Sequence, residues 1–252
     1  MQVNGVSFSY GKQEVLKDIS FAMKEGSVTT ILGANGSGKS TLFYLMTKNL
    51  PLITGEILLE GKDIKRLKLK EFAKKVAIVN QTNSIQGDIQ VEKLVGYGRT
   101  PFLSFLESKR TEDERLIDWA MEITNVKKYR GKPLSSLSGG QRQRVWIAMA
   151  LAQNTKILLL DEPTTYLDIR YQLEILDLIR RLNREFGITI LMVLHDVNQA
   201  IRYSDEVIGL KDGRIVAQGV PREVVSPEFM EEIYGVRLDV AYIEKRMYVL
   251  NA

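Results

Sequence analysis

Residues 33 to 41, Gly-Ala-Asn-Gly-Ser-Gly-Lys-Ser-Thr, combine residue types and spacing that bind phosphate. Gly33, Gly38, Lys39 and Ser40 fit the pattern of a glycine, four residues, then Gly-Lys-Ser/Thr. The glycines, Gly36 among them, let the backbone turn so that successive N–H groups point inward at an anion. Lys39 then reaches the outer phosphates and the Ser40 hydroxyl ligates magnesium. Asn35, Ser37 and Thr41 are assigned to the same cradle.

Other polar residues stand at the ends of apolar runs. Asp161-Glu162 follow Ile157 to Leu160, His195 follows Ile190 to Leu194, and Gln81 follows Val76 to Val79. Open parallel sheets bind ligands beyond the carboxyl ends of their strands, so these positions are expected to converge with the loop. Asp161 can hold magnesium directly or through water. Glu162 can orient or deprotonate the attacking water. Gln81 can complete the metal shell and sense the terminal phosphate, and His195 can hydrogen-bond that phosphate. The set suits nucleoside triphosphate hydrolysis, which asks for positioning and charge neutralisation more than covalent chemistry. Asp161-Glu162-Pro163 also reads as a helix start, with Asp as cap and Pro in the first turn. A single histidine is commonly structural; His195 is the only one here, and it ends a strand.

Leu137-Ser138-Gly139-Gly140-Gln141 precedes a helix with Val145, Ala148, Met149 and Ala152 on its apolar face. Ser138 and Gln141 have capping-box spacing. Two glycines in that first turn are costly for a helix, and make sense if a phosphate must approach the exposed N–H groups. The first loop already cradles one nucleotide, so a second anion site belongs most simply to a nucleotide held by another copy.

The elements that must position these residues alternate. Short strands hold Val3, Val6 and Phe8, then Val15, Leu16, Ile19 and Phe21, then Val28 to Leu32, with turns at Tyr10-Gly11 and Lys24 to Gly26. A helix from Ser40 to Lys48 buries Leu42, Leu45 and Met46. Gly55 to Gly61 reads as a strand, Leu67 to Lys75 as a short basic helix, and Val76 to Val79 as a strand. From Thr82 to Asn154 the periodicity is helical, with Val91, Leu94 and Val95 in one helix and Leu116, Trp119, Ala120 and Ile123 in another. Alternation then resumes: strand Lys156 to Leu160, helix Asp168 to Phe186, strand Thr189 to Leu194, helix Val197 to Ser204, and a strand pair from Glu206 to Gln218 turning at Asp212-Gly213. One or two short helices and a polar strand pair follow Pro221. The expected class is α/β: a P-loop NTPase core with a mostly parallel sheet covered on both faces, an N-terminal antiparallel β part and an inserted helical subdomain. The expected division is a nucleotide-binding core at 1–81 and 155–220, a helical subdomain at 82–154 and a tail at 221–252.

The chain has 252 residues, enough for one large domain or a domain with an insertion. Apolar residues make up 44%, which supports a full core, and the net charge of +4 makes the surface mildly basic. That charge suits an anionic membrane face as well as nucleic acid, but no basic run with interleaved aromatics marks a nucleic-acid reader. Cysteine is absent, which rules out a disulfide framework or a thiolate metal site. The opening residues carry no basic-then-apolar signal, and the longest apolar runs are too short to span a bilayer. The expectation is a soluble cytoplasmic protein that something else docks to a membrane.

Along nearly its whole length the chain resembles the nucleotide-binding subunit of ABC transporters. Gly33 to Thr41 resembles the Walker A motif, Ile157 to Glu162 the Walker B motif, and Leu137 to Gln141 the family's signature. Gln81 matches the Q-loop, Leu167-Asp168 the D-loop and His195 the H-loop. Tyr10 is similar to the aromatic that stacks on adenine, and can equally be a turn tyrosine. The resemblance implies an ATPase using ATP and magnesium, working as a head-to-tail homodimer. Each ATP is then sandwiched between Walker A of one copy and Ser138, Gly139, Gly140 and Gln141 of the other. It also implies permease subunits in the membrane, met through the Gln81 region and the helical subdomain. The location implied is the inner face of the cell membrane, with an extracytoplasmic solute-binding protein as indirect partner.

Glu162 to Gln172, Glu-Pro-Thr-Thr-Tyr-Leu-Asp-Ile-Arg-Tyr-Gln, is similar to importers of iron-siderophore, haem and cobalamin chelates, and Tyr97-Gly98-Arg99-Thr100-Pro101 agrees with that group. Tyr166 departs from the small residue many ABC subunits carry before Leu-Asp. The alternatives are a soluble ABC ATPase that remodels complexes without transport, and a clamp on DNA. The clamp requires a coiled coil, and no sustained heptads lie between Gln81 and Leu137. Binding without hydrolysis is opposed by Glu162 and His195 together.

Overall fold

The computed structural model describes residues 1–83, 87–103 and 110–250. In chain order the elements are β1 (Gln2–Tyr10), β2 (Gln13–Ala22), β3 (Val28–Leu32), α1 (Lys39–Met46), β4 (Thr54–Leu59), β5 (Lys62–Asp63), α2 (Leu69–Ala73), β6 (Val76–Val79), α3 (Val91–Gly96), α4 (Arg110–Ile123), α5 (Gly139–Ala152), β7 (Ile157–Asp161), α6 (Ile169–Phe186), β8 (Thr189–Val193), α7 (Val197–Tyr203), β9 (Glu206–Lys211), β10 (Arg214–Gly219), α8 (Pro221–Val224), α9 (Pro227–Tyr234), β11 (Val240–Ile243) and β12 (Arg246–Val249). They form two compact units, Met1–Leu67 with Thr189–Ala252, and Lys68–Ile188.

In the first unit β3 runs parallel to both β8 and β9, and β10 closes antiparallel on β9. All five residues of β3 and of β8 are buried, as parallel strands covered on both faces require. The N-terminal sheet of the same unit is antiparallel in the order β2-β1-β4-β5. Its register sets Val3 opposite Phe21, Val6 opposite Ile19 and Phe8 opposite Leu16, all six buried, so one face of the hairpin is core. The tail contributes α8, α9 and the β11–β12 hairpin. Asn198 at the start of α7 pairs with Val249 through both its amide atoms, donating at 3.0 Å and accepting at 2.8 Å.

In the second unit β6 and β7 pair in parallel, Val76 opposite Ile157 through Val79 opposite Leu160. The rest is mainly helical, as expected. α3, α4 and α5 pack together through Val91, Leu94 and Val95, Leu116, Ala120 and Met121, and Val145 to Ala148. Among the described residues the exception is an isolated bridge between Gln90 and Pro133. Two helices differ from expectation. The basic one shrinks to five residues, because Leu67 and Lys68 are extended at its start and Lys74 and Lys75 turn into β6 at its end. α5 is buried nearly all round from Val145 to Ala152, with Met149 only half-buried, so its apolar surface is wider than one face.

α6 shows how local signals set helix limits. Asp168 caps its first turn by accepting from the Tyr171 N–H at 3.1 Å. Gly187, at φ 65°, ends it where other residues would be strained. Its buried stripe, Ile175, Leu176, Leu178, Ile179 and Leu182, has the spacing of one helical face. The architecture is the α/β P-loop core expected, with mostly parallel strand pairs, an N-terminal antiparallel sheet and a helical insertion spanning α3 to α5.

Candidate functional site

In the first unit β3 delivers the phosphate loop. Gly38 sits at the cap of α1 with φ 106°, and a Cβ there would stand 2.7 Å from Leu16, so only glycine fits. A Cβ at Gly33 would stand 2.3 Å from the Leu210 carbonyl oxygen of β9. That neighbour is invisible in the local sequence. The loop curls round Lys39, which is 5% exposed and donates from Nζ to the Gly33 carbonyl at 2.7 Å and the Ala34 carbonyl at 2.9 Å. A lysine this buried needs such partners, since taking its charge from water is costly.

The donor set fits a polyphosphate. The Ser37 hydroxyl is buried and has no hydrogen-bond partner among the described residues, an orphan that an anion's oxygen would satisfy. Gly36 faces open space, Asn35 and Ser40 are exposed, and the N-terminus of α1 adds N–H groups and the positive end of its dipole. Thr41 is buried in the first turn of α1. Tyr10 closes β1 at 50% exposure, its ring edge-on to Phe8 at 4.9 Å, which leaves an aromatic face for stacking. His195 follows β8 and Leu194 and is exposed, whereas its neighbour Asp196 caps α7 by accepting from the Gln199 N–H at 2.9 Å. The Tyr234 phenol of α9 is mostly buried, which pushes its pKa up to about 12 against the opposing effect of the Gly33 backbone beside it.

In the second unit β7 ends in Asp161, 1% exposed, followed by Glu162, 9% exposed. Glu162 holds φ 47°, a left-handed conformation uncommon for glutamate and costly enough to mark a constrained site. Its Oε2 accepts from the Gln81 amide at 2.6 Å and from the Thr165 hydroxyl at 3.0 Å. Two residues picked for their place after separate strands, Gln81 and Glu162, therefore meet directly. Thr165 escaped sequence reasoning, although its spacing of three residues from Glu162 was a usable turn signal.

The Ser138 turn caps α5 as its spacing predicts. The Ser138 hydroxyl accepts from the Gln141 N–H at 3.4 Å, and the Gln141 side-chain carbonyl accepts from the Ser138 N–H at 3.1 Å. The Gln141 amide also donates to the Tyr129 hydroxyl at 3.1 Å. The two glycines differ. A Cβ at Gly139 would touch only Leu167, at 3.6 Å, while one at Gly140 would stand 2.4 Å from the Tyr171 ring. Tyr171 was not among the residues expected here. Asp168, expected at a nucleotide, caps α6 within its own chain.

Against known proteins, a family model described as ABC transporter matches residues 16–165. The petrobactin import ATP-binding protein FpuC of Bacillus anthracis is 45% identical over 240 residues, 95% of this chain and 88% of that protein. The iron(3+)-hydroxamate import ATP-binding protein FhuC of Bacillus subtilis (strain 168) is 44% identical, covering 93% and 87%. The ferric enterobactin transport ATP-binding protein FepC of Escherichia coli (strain K12) is also 44% identical, covering 92% and 86%. Among solved structures, cbiO1 from Clostridium perfringens, part of the transporter complex cbiONQ, aligns with a TM-score of 0.80 at 34% identity over 88% of this chain and 89% of that one. The dimeric cassette MJ0796 bound to ADP and Pi aligns with a TM-score of 0.74 at 30% identity over 88% and 98%.

Proposed function

This chain belongs to the ABC transporter family, and we propose that this ATP-binding-cassette ATPase energises a membrane importer for iron-siderophore-type metal chelates. The observation that carries the import reading is identity of 44–45%, over more than nine-tenths of this chain, to ATP-binding proteins named for petrobactin import, iron(3+)-hydroxamate import and ferric enterobactin transport. No described helix is long and apolar enough to cross a membrane, so in this reading separate permease subunits form the path for solute. An extracytoplasmic solute-binding protein would deliver the chelate to them.

In the reaction, Lys39 and the N–H groups of residues 33 to 41 neutralise and orient the phosphates, and Tyr10 stacks on the adenine. Ser40, Gln81 and Asp161 would hold magnesium, which would lend positive charge to the phosphates when bound. Glu162 orients the attacking water and draws off its proton. Hydrogen bonds from Gln81 and Thr165 support this role by holding the carboxylate in place. His195 donates to the terminal phosphate, as its exposure permits. Ser138, Gly139, Gly140 and Gln141 offer the N-terminal turn of α5 to the nucleotide of a second copy, and Asp168 would face that shared site. Residues 1–81 and 155–220 would form the nucleotide-binding core, residues 82–154 would meet the permease, and 221–252 would be the tail.

Glu162→Gln tests this reading. The variant is expected to bind ATP, lose turnover and accumulate a dimer in light scattering. Turnover at the normal rate would remove Glu162 from the chemistry. Ser138→Arg in the same background should suppress the dimer and leave ATP binding to the monomer intact. Co-purification with a polytopic permease separates import from soluble remodelling.

A further inference from the structure

The requirement for glycine at residue 140 comes from inside the chain. A Cβ there would lie 2.4, 2.5 and 2.9 Å from three atoms of Tyr171, far inside van der Waals contact, whereas Gly139 has ordinary space. Tyr171 lies in the first turn of α6, and its N–H is fixed by the Asp168 carboxylate. Gln172, next in the chain, donates from its side chain to the Leu167 carbonyl at 2.9 Å. This turn is therefore bolted to the loop running back through Thr165 to Glu162. A second tie lies one turn further along both helices, where Arg144 of α5 donates to Glu174 of α6 at 2.6 Å.

We infer that Tyr171 is a positioning residue: its ring sets the placement of the Ser138–Gln141 turn relative to the loop that carries Glu162. The inference rests on the dimer reading for its consequence. In that dimer Glu162 serves the subunit's own nucleotide, while the Ser138–Gln141 turn serves the partner's. A ring wedged between the two turns makes the geometry of one site depend on the other. It also gives Gly140 a second reason to stay small, the ring as well as the anion.

The test is a double-substitution cycle on the full chain in the Glu162→Gln background, reading ATP affinity and ATP-dependent dimerisation. Gly140→Ala and Tyr171→Ala should each weaken dimerisation about tenfold or more, with ATP affinity of the monomer within about twofold. Tyr171→Phe, which keeps the ring, should match the parent. Gly140→Ala with Tyr171→Ala should be no worse than Tyr171→Ala alone, because the clash is gone. Losses that multiply in the double variant, or a Gly140→Ala variant that dimerises like the parent, would overturn the inference. Hydrogen exchange in the monomer reads the same positioning without a dimer. Tyr171→Ala should speed exchange at the Gln141 and Arg142 amides about tenfold, and Tyr171→Phe should not. Unchanged exchange in Tyr171→Ala would sink the inference even if ATP drives dimerisation. A parent that fails to dimerise while the exchange result holds would count against the dimer reading alone.

Discussion

The Gln81 amide nitrogen lies 2.6 Å from the Glu162 carboxylate oxygen, a bond between residues 81 positions apart in the chain. With Thr165 on the same oxygen, it helps hold the carboxylate in place beside a left-handed backbone at Glu162.

Gln81→Ala removes one of those donors and leaves Thr165. Turnover should fall about tenfold to a hundredfold with ATP affinity changed far less. Steady-state ATPase assays beside calorimetric ATP titration check the split. Equal losses in both would place Gln81 in ground-state binding instead.

Lys39→Met keeps length and packing but removes the ammonium now held by the Gly33 and Ala34 carbonyls. ATP binding should weaken by about 1.5–3 kcal/mol, the range for a hydrogen bond to a charged group. Titration with ATP and magnesium measures it. Thermal unfolding without ATP should change little by comparison, because the glycine-built turn at Gly38 does not depend on the lysine.

Arg99 anchors the far end of α5 and serves no nucleotide in this reading. It is buried, pairs with Asp113 at 2.7 Å, donates to the Ala152 carbonyl at 2.8 Å, and lies 4.2 Å from the centre of the Phe102 ring. Helix C-termini leave carbonyls without partners, and Arg99 satisfies one while its charge opposes the negative end of the dipole. Arg99→Ala should destabilise by about 3–5 kcal/mol, since it strands the Asp113 carboxylate. Arg99→Met with Asp113→Leu should recover much of that loss in a denaturant titration. A double variant no more stable than Arg99→Ala would show that packing, not the stranded charge, sets the cost.

Glu174 has a pKa below the ordinary carboxylate value, chiefly through its hydrogen bond from Arg170, with Arg144 adding to it against some desolvation. A depressed folded-state pKa gives stability that is present above the unfolded value, about 4.3, and lost as pH falls through the folded value. The wild type should therefore unfold at a higher temperature than Glu174→Gln at pH 7, and the gap should close on acidification below about pH 4.3. A gap that stays constant from pH 7 to pH 3 would assign the difference to packing.

The sequence alone determined what depends on neighbours along the chain. Glycine spacing, apolar runs and the Ser138 and Asp168 caps act within a few residues, so the phosphate loop, the strands behind it and the limits of α1, α6 and α7 were legible without coordinates. Tertiary structure decided what depends on atoms brought from elsewhere. The Leu210 carbonyl dictates glycine at Gly33, the Tyr171 ring dictates it at Gly140, and Gln81 reaches Glu162 across 81 positions. The physical reason is the range of the forces: capping and periodicity act locally, whereas close packing is set by whichever distant residue the fold places within contact distance.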